Sequence, residues 1–367
     1  MGTLLLNSLE IRNFRGFHHL QIERLGRVNL IVGKNNVGKS SLLEALQLYA
    51  YRGLPDLIWD ILGTRDELRV SLRVAGIEDL LSALKYLFYG RLDLRSHFET
   101  IQIGPVNSVD ETLSVAMGWS TVQVDEKGSR NVRPILREEF NMVNNLVPRL
   151  TFQMGKRWGA NYSLDTSIPY RLLKPELNEI CCIFIAANGL DRGRVGELWD
   201  GIALTSLEKD VLTSLSIIAP GVEGLNLVGD PESTHGRVPI VKIRDIDEPL
   251  PLRSLGNGMQ RMLGIALALA NAKDGILLID EIENGIHYSV QPELWQLIFQ
   301  LARRLNVQVF ATTHSWDCIE GFQKAAQEDK QEDGMLIRLS LKKGEIGATL
   351  FDEEELGIAT REQIEVR

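Results

Sequence analysis

The chain opens with short apolar runs at strand spacing. Leu4-Leu5-Leu6 and Leu9-Ile11 lead into Asn13-Phe14-Arg15-Gly16-Phe17, Leu20-Gln21-Ile22 alternates, and Arg27 to Val32 ends in the run Val28-Asn29-Leu30-Ile31-Val32. This patterning predicts a small antiparallel sheet that closes on one buried strand, followed by a helix from Ser41 through Leu46. From about Gly53 to Pro249 strands and helices mix without a repeat. Thr112 to Met117 alternates, Glu126-Lys127-Gly128 reads as a turn and Leu207 to Ile217 as a helix. The final third is the most regular. Gly258 to Asn271 is rich in helix formers, and Gly275 to Asp280 is an apolar run ending in acid. Leu294, Leu297, Ile298 and Leu301 mark one helix face, with Glu293, Gln300, Arg303 and Arg304 opposite. Val307 to Ala311 predicts a further strand, and Met335 to Phe351 a hairpin turning at Lys343-Gly344. Strands alternating with helices predict an α/β fold, a mainly parallel sheet flanked by helices on both faces.

At 367 residues, 44% hydrophobic and 24% charged, the chain has the composition of a globular protein with a large core. No apolar run approaches the ~18 to 20 residues that span a bilayer, and no secretory leader pattern opens the chain, so a cytoplasmic protein with no membrane partner is expected. Cys181, Cys182 and Cys318 form no metal-ligand spacing, and reduced, mostly packed thiols are expected. The net charge of -9 argues against coating nucleic acid by bulk electrostatics, while leaving room for a local basic groove.

Four stretches carry chemistry. Gly33-Lys34-Asn35-Asn36-Val37-Gly38-Lys39-Ser40 fills every fixed position of G-x-x-x-x-G-K-S/T between a predicted strand and a predicted helix. Its glycines let successive N–H groups turn inward beside a helix N-terminus, a nest for a polyanion. Lys39 is placed to reach the β- and γ-phosphates, and Ser40 to hold Mg²⁺. Leu277 to Glu281 is a strand that delivers two carboxylates at its tip, which downstream of a phosphate loop suits Mg²⁺ ordering by Asp280 and water activation by Glu281. Ser254-Leu255-Gly256-Asn257-Gly258 is a glycine-rich turn running into a helix from Met262 to Asn271, a second anion site. His314 follows a strand. An isolated histidine is usually a packed or surface residue, but at this strand tip it suits contact with a γ-phosphate.

In that order, these stretches resemble the ABC-type ATPases of the RecF and SMC branch, and Leu9 to Phe17 is similar to that branch's N-terminal strand. More narrowly, Gly258-Met259-Gln260-Arg261, Ile279 to His287 and Ala311 to Ser315 resemble the AAA15/AAA21 group of OLD-related ATPases. The resemblance covers about residues 1 to 50 and 250 to 325. It implies an ABC-type P-loop NTPase domain over 1–325, with a core at 1–52 and 250–325, an N-terminal antiparallel β subdomain, a mixed α/β insertion at 53–249, and a C-terminal hairpin and tail at 326–367. It further implies nucleotide contacts from Gly33 through Ser41, Mg²⁺ ligation by Ser40 and Asp280, Glu281 as catalytic base and His314 as switch histidine. Ser254, Gly256 and Gly258 then reach the nucleotide in trans, Asn284 and Gly285 occupy a dimer-crossing loop, and Arg15 lies near the adenine side. Two departures stand out: the signature has no plain L-S-G-G-Q, and no glutamine-containing switch loop can be placed in the middle region.

The implied activity is ATP hydrolysis in a homodimer or higher homo-oligomer that sandwiches two nucleotides. The implied role is control of a separate effector, Toprim-like or another nuclease, in bacterial antiphage defence. Two other readings stay open: a nucleotide-gated scaffold with little turnover, and a RecF-like repair ATPase with DNA as a ligand, for which Arg12, Arg15, Lys156 and Arg157 are candidate phosphate contacts. A nuclease within this chain is not expected. The 53 residues after His314 hold no D-x-D pair, Asp352 to Glu355 reads as a solvated face or helix start, and Asp245-Ile246-Asp247 as a surface turn. The absence of N-K-x-D argues against a small GTPase.

Overall fold

A computed structural model describes residues 3–366 other than 73, 92–93, 95–98, 125–129, 136–141, 144–145, 157, 165–179, 230–236, 330–332 and 363–364; the expected turn at Glu126-Lys127-Gly128 and Arg157 lie outside the described residues. Leu9–Phe14 (β1) and Phe17–Ile22 (β2) form a hairpin, and Val28–Val32 (β3), buried at every position, leads to Lys39–Ala50 (α1). Then come Pro55–Thr64 (α2), Ile77–Leu84 (α3), Thr100–Gly104 (β4), Leu113–Val124 (β5), Arg130–Pro134 (β6), Leu146–Met154 (β7) and Trp158–Ser163 (β8). Cys182–Ile185 (β9), Arg192–Asp200 (α4), Ser206–Ile218 (α5), Val222–Gly229 (β10), Arg237–Ile243 (β11) and Leu250–Pro251 (β12) follow. The last third holds Asn257–Asn271 (α6), Ile276–Ile279 (β13), Gln291–Arg304 (α7), Gln308–Thr312 (β14), Trp316–Asp329 (α8), Gly334–Lys342 (β15), Glu345–Phe351 (β16) and Glu353–Arg361 (α9).

The central sheet runs β16-β15-β3-β14-β13-β9, parallel throughout except for the β15–β16 hairpin. Its strands alternate between two cores. Leu30, Ile183, Leu277, Val309 and Leu336 face one, with residues of α4 through α9 and the β10-β11-β12 sheet. Ile31, Cys182, Leu278, Phe310 and Ile337 face the other, with α1, α2, α3 and the antiparallel sheet β2-β1-β4-β5-β7-β8, to which β6 adds beside β5. With apolar neighbours on both faces, β9 and β13 read as continuous hydrophobic runs, as a parallel sheet requires, while β15 and β16 grow more polar and exposed at the sheet's edge. Helix α1 is buried at Leu42, Leu43, Ala45, Leu46 and Leu48, because it lies between the central and antiparallel sheets. The start of β3 is pinned from within. The buried Asn29 amide donates to the carbonyls of Gly26 (2.9 Å) and Val309 (3.1 Å), and Gln308 donates to those of Leu6 (2.7 Å) and Gly26 (2.9 Å).

The fold is the expected α/β class. The hairpin turns at Lys343-Gly344, both with positive φ, the backbone that a two-residue hairpin turn demands. Asp352 starts α9 as a cap that accepts the Glu355 N–H, so the acidic run is a helix start. Asp245 and Asp247 are exposed beside a turn. Three local readings differ. Leu4 to Leu6 forms no strand. Helix α6 begins at Asn257, five residues before Met262, because Gly256 at φ 96° supplies the sharp turn at its start. And the middle region is not only peripheral, since β9 pairs with β13 in the central sheet, Ile185 opposite Ile279. Cys181, Cys182 and Cys318 are all free, the last two buried. Among the described residues no helix is long and apolar enough to cross a membrane.

Candidate nucleotide-binding site

Strand β3 ends at the middle of the central sheet, where parallel strands deliver their C-terminal ends to one edge. The loop that follows has Gly33 at φ 147°, Asn36 at φ 64° and Gly38 at φ 90°. A Cβ on Gly33 would lie 2.5 Å from the Leu339 carbonyl oxygen, and one on Gly38 2.8 Å from the Phe17 ring, so neither position has room for a side chain. Lys39 Nζ donates to the carbonyls of Gly33 (2.7 Å) and Lys34 (3.2 Å). Burial holds its pKa below the ordinary lysine value, opposed by the nearby carboxylates of Asp280, Glu281 and Glu283.

The neighbouring strand tips complete the arrangement. Ser40 Oγ donates to Asp280 Oδ2 at 3.0 Å, and Thr312 Oγ1 donates to Asp280 Oδ1 at 2.6 Å. The same Thr312 oxygen accepts the Glu281 N–H at 2.8 Å. Glu281 adopts φ 49°, a left-handed backbone uncommon outside glycine, and its carboxylate accepts from Asn284 Nδ2 at 2.8 Å. Arg261 of α6, 6% exposed, clasps three backbone carbonyls: Ala186 beyond β9 (2.7 Å), Asp280 (2.7 Å) and Glu281 (2.9 Å). Burial lowers its pKa, and the carboxylates of Glu283, Asp280 and Glu281 oppose that shift. The helix that carries the glycine-rich turn is thereby tied to the strand that carries the acids.

Ser40, Asp280 and Glu281 border a cavity of about 550 Å³. Asn35, Asn36, Gly38, Lys39, Ser40 and Ser41 form one wall, with Asp280 and Glu281 across from them. Gly33, Lys34 and Val37 shape the loop from outside the lining. Arg15, Arg65, Tyr86 and Arg91 also line the cavity, Arg65 within 3.4 Å of Ser41 Oγ. Arg15 is held there by Glu67, at 2.9 and 3.0 Å, and pairs with Glu44, which Arg65 also contacts at 2.6 Å. Burial raises the Glu44 pKa against the pull of Arg15 and Arg65.

His314 sits outside that lining. Its Nδ1 lies 3.1 Å from Glu283 Oε1 and 3.8 Å from Glu281 Oε1, and its backbone N–H donates to Glu283 at 3.0 Å. Ser254 and Gly256 are exposed and also stand outside the cavity of their own chain; Gly258 packs where a Cβ would meet the Gly285 carbonyl at 2.7 Å. Of the charges suggested as DNA contacts, Arg12 pairs with Glu10 at 2.8 Å. Sequence reasoning left Thr312, Glu283, Arg261, Arg65, Tyr86 and Arg91 without roles. Thr312 was within reach, as the residue preceding the strand-tip histidine by two; the others depend on tertiary contacts.

The donor set fits a small hard cation. A serine hydroxyl and a carboxylate 3.0 Å apart leave the remaining positions to phosphate and water oxygens, the usual arrangement for Mg²⁺ at a nucleotide. Among the described residues no group of three or more His, Cys, Asp or Glu side chains is arranged to hold a metal by itself.

Comparison with known proteins bears on the sequence and the fold. Residues 5–52 match the family model described as AAA ATPase domain, and residues 228–317 the one described as AAA domain, putative AbiEii toxin, Type IV TA system. An ATP/GTP phosphatase of Helicobacter pylori is 23% identical over 88% of this chain and 89% of its own length. The DNA replication and repair protein RecF of Clostridioides difficile is 41% identical over 46 residues, 12% of each chain. Among solved structures, the SMC head bound to the C-winged helix domain of ScpA aligns with a TM-score of 0.50 at 13% identity, covering 96% of this chain and 99% of that one. The phosphate loop and the acidic strand tip stand on a fold like that of the SMC head, and in its sequence the chain is similar to AAA-type ATPases.

Proposed function

We propose that this protein hydrolyses ATP in a pocket shared between two copies, and that the resulting opening and closing controls an effector partner. The observation that carries the reading is the convergence of Ser40, Asp280, Thr312 and Glu281 within hydrogen-bonding reach at the mouth of the phosphate loop. In this reading residues 1–325 form one ATPase domain. Lys39 exchanges the carbonyls of Gly33 and Lys34 for phosphate oxygens, and the N–H groups of the loop and of α1 receive the remaining charge. Ser40 and Asp280 would hold Mg²⁺, which when bound neutralises charge on the phosphates. Glu281 takes a proton from the attacking water, its carboxylate steadied by Asn284. His314, braced by Glu283, lies close enough to Glu281 to respond to the γ-phosphate. Arg15, Arg65, Tyr86 and Arg91, which line the same cavity, would meet the nucleoside end of the ligand.

The exposure of Ser254 and Gly256, outside their own cavity, supports a pocket completed in trans. A γ-phosphate held by one copy alone leaves charge unmet, and the partner's α6 N-terminus supplies the remaining donors. The match over 228–317 to a model described as a putative AbiEii toxin of a type IV TA system favours a role in bacterial defence, and in this reading the protein acts in the cytoplasm on a Toprim-like or other nuclease effector. The short RecF match supports the repair reading only around the phosphate loop.

Mass measurement of the Glu281→Gln chain with and without ATP and Mg²⁺ tests this. Nucleotide-dependent doubling is expected; a mass and shape that ignore ATP would count against a closing sandwich.

A further inference from the structure

A second cavity, of about 370 Å³, adjoins the first half of α6 on the side of β11 and the β9–α4 connection. It is separate in lining from the phosphate-loop cavity and is built differently. Among the described residues Arg192, Arg253 and Arg261 line it and no Asp or Glu does, in a chain whose net charge is -9. Asn188, Asn257 and Gln260 add amides that both donate and accept, and Leu190, Val195, Val238 and Leu263 supply an apolar wall. Arg261 is nine-tenths buried and its Nε has no hydrogen-bond partner. Three guanidiniums in one lining suit an anion, and amides that donate and accept beside an apolar wall suit the edge and face of a nucleobase. The volume lies within the range of small-ligand pockets.

We propose that this cavity is a second binding site, for a mononucleotide, with the phosphate among the arginines and the base against the amides and aliphatic wall. The site touches the hydrolytic machinery through two residues of its own lining. Asn284 donates both to the Ala187 carbonyl (3.1 Å) and to the Glu281 carboxylate (2.8 Å), and Arg261 holds the carbonyls of Asp280 and Glu281. An occupant that draws on Asn284 or Arg261 therefore shifts Glu281. Binding is independent of the hydrolytic reading above, whereas this coupling rests on it.

The test is calorimetric titration of the full chain carrying Lys39→Ala, so that the phosphate loop does not compete, with AMP, GMP, CMP and UMP in turn. At least one is expected to bind saturably at one site per chain, and Arg192→Ala to weaken it by about tenfold. Gly264→Met is a second variant that leaves the charges in place. A Cβ at Gly264 makes only ordinary contact with Leu190, at 3.7 and 3.8 Å, so the chain folds while the thioether occupies the cavity and abolishes binding. No saturable binding by any of the four, or binding unaffected by both variants, overturns the site. In the unsubstituted chain, the mononucleotide that binds is expected to change ATP turnover, and Gly264→Met to remove that response. Binding without a response overturns the coupling alone, and absence of any ATP turnover counts against Glu281 as base, not against the cavity.

Discussion

Glu281 is held in a left-handed backbone conformation by contacts on every side: Thr312 on its N–H, Arg261 on its carbonyl and Asn284 on its carboxylate. Strain of this kind, which costs on the order of 1–3 kcal/mol, persists only where the surroundings over-determine it. Glu281→Gln keeps the shape and the Asn284 contact but removes the proton acceptor. Turnover should fall about 10²- to 10⁴-fold with nucleotide affinity nearly unchanged, as read by phosphate release beside equilibrium binding. Lys39 gives a pH signature. Its pKa in the free protein is depressed by burial, and only the charged form attracts phosphate, so affinity should be flat at lower pH and weaken as pH rises through a value below the 10.5 of a free lysine. A Lys39→Met chain should bind weakly without that dependence. Burial also raises the pKa of the Cys182 and Cys318 thiols, keeping them neutral. In native protein a thiol-alkylating reagent should reach Cys181 alone, as peptide mapping would show. At this scale the sequence was most readable. The phosphate loop and the Asp280-Glu281 pair are local strings whose chemistry needs only their immediate neighbours. Thr312 is signalled by the strand-tip histidine two residues on, whereas Arg261 acts on backbone carbonyls brought together by the sheet, and nothing next to it in the chain announces it.

Among the elements, α6 couples the exposed glycine turn to the acidic strand tip. Arg261 makes that link through three carbonyls, from β13's end and from the segment after β9. Arg261→Leu keeps most of the volume yet leaves those carbonyls without charged donors. It should destabilise the fold by about 3 kcal/mol, read as a lowered urea midpoint, and Arg261→Lys should recover only part of it. Strand β9 shows why the middle region resisted reading. Four residues at Cys182–Ile185 carry too little periodicity to separate a central strand from a buried loop, and their partner Ile276–Ile279 lies some ninety residues downstream. The hairpin β15–β16 and the cap of α9 were legible because their signals are local: a Lys-Gly turn and an Asp followed three residues later by Glu. The helix formers of α6 are legible from Gly258, but its first turn is masked because Gly256 and Gly258 also read as turn positions, although Gly258 lies within the helix.

For the whole molecule the decisive feature is that the glycine turn and the phosphate loop of one chain do not share a cavity. Ser254 and Gly256 face outward, while Lys39 and Asp280 line a cleft that Ser254 does not reach. A two-fold pairing that sets each turn over the other copy's cleft makes two equivalent sites, the usual economy of a symmetric dimer. Complementation examines this composition most directly. Lys39→Ala chains lack a working loop and Ser254→Arg chains a working cap, so each alone should be inactive. Mixed, random pairing makes half of the dimers heterodimers, each with one whole pocket, and turnover should return to about a quarter of the unsubstituted level. A mixture no more active than its separate parts, with mixed pairs shown to form, would contradict the shared pocket.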